Sequence, residues 1–287
     1  MWGMVARLEA RVGIGDAARQ HWYDAQAAIR PREGRPHAVR RSILANALSL
    51  IHFDDDADVR DLQRLDQEIG SNQTVSLQDE VLAAIDPVPG RPLVTQLVRT
   101  LGERAWGKSS RTPGSLTHDD PDLRELCAGA ALRLLMVDDG EDDRPLPTLT
   151  TEEALLEVFR GGDAGLWRRM VATALSEPWA GRTEHHLSLL DPDERPGEFQ
   201  GIQALAGMAR RIAEEDERRA VADHIRSTIA GTGLTQREFA SLVGTSPSRL
   251  STYVTGSVTP SAAMLLRINR MAKRARSSAH GVPDGPA

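Results

Sequence analysis

Six groups of residues in this chain have types and spacing that could carry chemistry. Five of them fail on their own geometry. His118-Asp119-Asp120 resembles a piece of a hydrolytic metal centre, but no second histidine cluster stands at helical spacing from it. The acidic run Asp138 to Asp143 could attract a cation, yet it lacks the distal glutamate of a calcium loop. His185 and His186 are adjacent, and neighbours on a helix diverge by about 100°, too far to share a metal easily. Gly13-Ile14-Gly15 has no preceding strand to aim it at a phosphate. Cys127 sits in an apolar helical stretch, where a thiol is more often packed than nucleophilic. No catalytic residue, metal site or cofactor is assigned on these grounds, and the chain is read as a non-enzyme.

The sixth group is the run Leu234 to Ala272, LTQREFASLVGTSPSRLSTYVTGSVTPSAAMLLRINRMA. Thr235 and Glu238 stand three apart, the spacing at which a side chain at each end satisfies the other's free backbone N–H. Phe239, Leu242 and Val243 then mark one apolar face. Gly244 supplies the left-handed residue that lets a chain leave a helix at no steric cost. Ser246 can cap a second helix, with Pro247 in its first turn, where a missing N–H is harmless. Leu250, Tyr253 and Val254 face inward, and Gly256 ends this helix. Thr259-Pro260 opens a third, with Leu265, Leu266, Ile268 and Met271 as its apolar side. Two short helices joined by a turn of about four residues with a glycine make a helix-turn-helix. Ala240, four residues before Gly244, falls where the two helices approach closely.

This run resembles the phage-repressor type of helix-turn-helix, the Xre (Cro/C1) family. The likeness rests on Leu234, Thr235, Gln236, Phe239, Ala240, Val243, Gly244, Thr245, Ser246, Leu250, Ser251, Tyr253, Gly256 and Pro260, in register without a gap. Val221, Ile225 and Ile229 fit the helix that precedes the motif, so the resemblance covers about residues 221–275. It implies double-stranded DNA as partner, with the helix from about Ser246 to Thr255 in the major groove. Gln236, flanked by Thr235 and Arg237, would meet phosphate at a helix N-terminus. Ser246, Pro247, Ser248, Arg249, Ser251 and Thr252 would face the DNA, with Arg249 placed for a bidentate contact to guanine. Ala240, Gly244, Leu250 and Tyr253 would hold the motif together. Pro247 stands where the family often has a polar reader, which implies few direct base contacts. No fifth helix is evident after Met271, and the N-terminal helices are expected to supply that packing. Arg267, Arg270 and Arg274 share helical spacing and read equally as phosphate contacts or as a solvated face.

The rest of the chain must position this module, and its pattern is helical nearly throughout. Apolar spacing predicts a segment from Val5 that reaches the Pro31 region, then Val39–Phe53, a third helix with Val59, Leu62, Leu65 and Ile69, and Leu93–Trp106. A helix capped by Ser76 is expected between these, stopped by Pro87 to Gly90. Further helices are expected over Leu123–Val137, after a capping box of Thr150 and Glu153, and over Leu166–Leu175. A long helix from Phe199 to Ala230, with a break near Glu214–Glu217, leads into the motif. The five tryptophans are expected to anchor cores. Polar stretches at Lys108–Pro121 and Glu184–Gly197 mark boundaries. The expected organisation is a helical region over 1–107, a second over 108–200 that could form one domain with it, a connecting helix and DNA-binding domain over 201–276, and a disordered tail over 277–287.

The chain has 287 residues, 40% of them hydrophobic and 26% charged, as folded soluble proteins have. With 4% aromatics and no alternating β-branched runs, an all-β fold is excluded; the fold class read is all-α, a helical N-terminal body with a C-terminal helix-turn-helix domain. One cysteine excludes an internal disulfide framework, and no apolar run approaches the roughly 20 residues of a membrane span, so the expectation is a cytoplasmic protein with no membrane partner. The net charge of −6 conceals a division. From Val221 onward eight basic residues face three acidic ones, a surplus of five, and the remainder holds 27 basic against 38 acidic, a deficit of eleven. A basic module on an acidic body is the charge plan of a DNA-binding domain joined to something else. The expected function is sequence-specific transcriptional regulation by a homodimeric repressor. The body would bind a protein partner or a small-molecule effector. Two alternatives stand beside it: an antitoxin-like protein whose body neutralises a partner while the motif autoregulates, and an enzyme in the body with a DNA-binding tail.

Overall fold

The protein is described by a computed structural model over residues 2–11, 16–29, 33–53, 55–85, 92–107, 120–136 and 146–280. Fourteen helices and no strand occur among these residues, so the all-α reading holds. The chain divides into two compact units, 1–209 and 210–287.

In the first unit, α1 (Trp2–Arg11) and α2 (Asp16–Ala28) lie within the opening segment expected from the sequence, and the residues between them are outside the described ones. The centre is α3 (Arg35–His52), buried along Ser42 to Leu50 without interruption. A helix apolar on all sides is a helix surrounded, and α1, α2, α4 (Asp56–Ile69), α5 (Ser71–Ala83) and α6 (Leu93–Trp106) all pack on it. Ser76 lies inside α5 and does not cap it, because Thr74 and Val75 before it are already helical and buried. The link from α1 to α4 is ionic. Asp58 is fully buried, and its two oxygens accept from Arg7 Nη2 at 2.8 Å and Arg11 Nη1 at 2.7 Å. A buried carboxylate is tolerable only when paired in this way.

α7 (Pro121–Leu135) is capped by Asp120, whose carboxylate takes the N–H groups of Asp122 and Leu123 and is held below the usual carboxylate range by those bonds and by Arg60. Cys127 is buried in it, as expected of a packed thiol. α8 (Glu152–Gly161) is capped by Thr151, one residue later than the expected Thr150, because Thr151 Oγ1 reaches the N–H of Ala154 at 3.2 Å. α9 (Ala164–Ser176) follows. The stretch read as a boundary at Glu184–Gly197 holds α10 (Arg182–Ser188), with His186 and Leu190 buried. α11 (Pro196–Ala230) runs unbroken through Glu214–Glu217, since Arg219 pairs with Glu215 and Asp216 at helical spacing. Trp22 and Trp167 are buried, whereas Trp179 is 56% exposed and anchors no core.

The second unit comprises the remainder of α11 with α12 (Gln236–Val243), α13 (Pro247–Thr255) and α14 (Ala262–His280). Its core is Ile225, Ile229, Phe239, Ala240, Val243, Leu250, Tyr253, Ile268 and Ala272. All nine come from within the unit, α14 contributing Ile268 and Ala272. α14 also continues four residues into the stretch read as a disordered tail. The hydroxyls of Ser277 and Ser278 donate to the carbonyls of Lys273 and Arg274 at 3.1 Å, so these polar side chains are satisfied within the helix. Pro31, the Gly13–Gly15 and Pro87–Gly90 stretches, His118 and Asp119, most of Lys108–Pro121, the Asp138–Asp143 run and residues 281–287 lie outside the described residues. No helix among the described residues is long and apolar enough to cross a membrane.

Candidate nucleic-acid interface

The interface is built from its caps. Thr235 Oγ1 accepts from the N–H of Glu238 at 3.3 Å, and Glu238 Oε2 accepts from the N–H and hydroxyl of Thr235 at 2.8 and 2.6 Å. These bonds hold the Glu238 carboxyl below the usual range, the Thr235 hydroxyl contributing most. The reciprocal cap read from the sequence is therefore present. α12 ends at Gly244, whose φ of 74° is the left-handed geometry a glycine adopts freely. The N–H of Thr245 then donates to the carbonyl of Ala240 at 3.0 Å, closing the turn. Ala240 is fully buried at this crossing. Ser246 Oγ accepts from the N–H of Arg249 at 3.1 Å and starts α13 with Pro247 in its first turn. The third helix begins two residues later than Thr259-Pro260 suggests. Ser261 is its cap, with Oγ 3.3 Å from the N–H of Met264.

Most of the residues expected to meet DNA lie on the surface. Thr235, Arg237, Ser246, Pro247, Ser248, Arg249 and Ser251 are exposed, while Gln236 and Thr252 are half-buried. Thr252 spends its hydroxyl proton on the carbonyl of Arg249 at 2.8 Å and keeps only acceptor capacity outward. Ser246 likewise accepts as a cap and keeps its proton. Leu250 and Tyr253 are buried. Two apolar assignments fail. Leu242 is 43% exposed and Leu266 is 63% exposed. The unit buries a narrower stripe of each helix than a count of apolar residues suggests.

Three contacts were not read from the sequence. Tyr253 was assigned to the core, but its hydroxyl also accepts from Arg249 Nε at 2.7 Å. A buried ring thereby fixes an exposed guanidinium by its inner nitrogen and leaves the two outer nitrogens to act as a fork. The pair stands four apart on one helix, so their spacing could have signalled it. The other two contacts join distant residues. Arg226 of α11 donates from Nη1 to the carbonyl of Val254 at 2.9 Å, a cation on the last turn of α13. Close by in the unit, His224 and Asn269 meet at 2.8 Å between α11 and α14. No local pattern marks either.

Among the described residues no group of three or more histidine, cysteine or acidic side chains could hold a metal ion. No curated protein and no solved structure matches the chain. Residues 232–271 match the family model described as helix-turn-helix. This match and the capped, glycine-turned geometry of α12 and α13 identify the C-terminal segment as a helix-turn-helix of the phage-repressor (Xre, Cro/C1) type.

Proposed function

We propose that the protein is a sequence-specific DNA-binding transcriptional regulator rather than an enzyme. It acts in the cytoplasm as a dimeric repressor, with α13 in the major groove. The observation that carries this reading is the exposed fork of Arg249, held by buried Tyr253 in the first turn of the second motif helix. That is where this motif reads base edges, and a guanidinium fork matches guanine. Ser248 and Ser251 flank it as small exposed donors and acceptors. Arg237, exposed beside the capped start of α12, suits a phosphate. A dimer would set two such helices on half-sites about one DNA turn apart.

Fluorescence anisotropy of the full chain on the DNA upstream of its own gene tests the reading, with a scrambled duplex as control. A complex specific for the upstream duplex is expected, with a two-to-one protein-to-DNA stoichiometry. Equal affinity for both duplexes would refute sequence-specific regulation, and a one-to-one complex would refute the dimer.

A further inference from the structure

The first unit holds a cavity of about 140 Å³ among α6, α7, α8, α9 and the start of α11. Its wall is mostly apolar, with Leu132, Met170, Val171 and Ile202 beside the rings of Trp106 and Phe159. Trp106 and Phe159 are half-exposed, which gives a small molecule a way in from solvent. The polar groups of the wall are already engaged. The indole N–H of Trp167 donates to the carbonyl of Val158 at 2.8 Å. Arg99 covers a face of the Trp167 ring, 5.3 Å from its centroid, and donates to the carbonyl of Arg160 at 3.4 Å. Glu198 is buried and has its partner within the protein. Glu103, the remaining charged residue of the wall, is half-exposed and within reach of water.

We propose that this cavity binds a neutral, single-ring aromatic molecule, its ring against Trp106 and Phe159 rather than on the Trp167 face that Arg99 covers. The size suits one ring, because an apolar cavity of about 150 Å³ takes a benzene-sized molecule. Neutrality follows from the wall. Its guanidinium, indole N–H and buried carboxylate already have partners, so a charged ligand would give up its water and gain no counter-charge in return. A neutral ring gives up little and covers apolar surface that water now meets. Aromatic side chains in the wall favour an aromatic guest over an aliphatic one of the same size, through edge-to-face contact. The proposal concerns the first unit and stands independently of DNA binding.

Calorimetric titration of the full chain with toluene, benzylamine and benzoate tests it, since the three share a ring and differ in charge. Toluene is expected to bind roughly tenfold tighter, or more, than either ion, because each ion must be stripped of its water. It is also expected to raise the melting temperature. Val171→Phe, which fills the cavity, is expected to abolish toluene binding. Phe159→Ala, at a half-exposed position, is expected to weaken it several-fold by removing one aromatic wall. No binding of toluene to the wild-type protein overturns the proposal. Benzylamine or benzoate binding as tightly as toluene overturns the neutral class. Toluene affinity that Phe159→Ala leaves unchanged places the ligand elsewhere and overturns the site, a result that stands even if Val171→Phe does not fold.

Discussion

Arg249 and Tyr253 divide reading from positioning. The guanidinium projects into solvent, while the ring that holds it belongs to the core. Arg249→Ala should therefore cost about 1–3 kcal/mol on the specific duplex and far less on the scrambled one. Tyr253→Phe keeps the packing and loses only the hydroxyl, so melting should shift by the equivalent of about 1 kcal/mol at most, while discrimination between duplexes falls several-fold. Anisotropy on both duplexes separates the two effects, and unchanged discrimination in Tyr253→Phe would remove the positioning role. A second residue-scale effect lies in the first unit. His52 of α3 meets His21 of α2, Nε2 to Nδ1, at 3.2 Å. Burial, and secondarily the charge of His21, hold the His52 pKa below its ordinary value. The unfolded chain then binds the proton more readily than the folded one. The contribution is complete above the unfolded pKa of about 6.5 and is lost as pH falls through the folded pKa. Urea unfolding at pH 7.5 and pH 5.5 should show the wild type weakened at the lower pH, and His52→Gln weakened less. His186, also lowered by burial, acts in the same direction in both proteins and cancels in the comparison.

At the scale of elements, the motif depends on its turn. Gly244 holds φ 74° with nothing within 4 Å of where a Cβ would sit. Gly244→Ala thus meets no clash and pays only the left-handed backbone, about 1–2 kcal/mol. Thr235→Ala removes one arm of the reciprocal cap, at about 1 kcal/mol. Denaturant midpoints of the full chain measure both, and a Gly244→Ala protein as stable as wild type would show that the turn relaxes. The element α11 was legible in length but not in continuity. The acidic run Glu214–Glu217 reads as a break, yet Arg219 answers it one turn on. α5 shows the converse error. Ser76 has the chemistry of a cap, but tertiary packing buries the turn before it.

The whole molecule sets a basic unit on an acidic chain, and that division makes a prediction about salt. Binding through phosphates weakens as counterions are released, with a slope near −0.9 per phosphate neutralised. Arg237→Ala should lower affinity for specific and scrambled duplexes alike and reduce the slope by about 1. A chain ending at Ala220 should retain no salt-dependent binding, because α12, α13 and α14 are gone. Anisotropy across a salt series checks both, and a slope that Arg237→Ala leaves unchanged would place that residue away from the DNA.

Caps, glycines and helical spacing are local, and they were enough by themselves to determine the all-α class and the motif, including the Thr235–Glu238 cap, the left-handed Gly244 and the Pro247 start of α13. Such features act between residues a few positions apart, so the chain spells them out directly. What only the tertiary structure decided joins residues far apart. Asp58 is clamped by Arg7 and Arg11 from about fifty residues away. Arg226 closes the end of α13 from twenty-eight residues upstream. Leu242 and Leu266 are left in solvent although their types suggest a core. Gly102 of α6 and Gly201 of α11, ninety-nine residues apart, are brought to the same tryptophan, Trp106. Periodicity tells which residues could be buried. Which of them are, and which charges meet, depends on how helices cross, and no local pattern encodes a crossing.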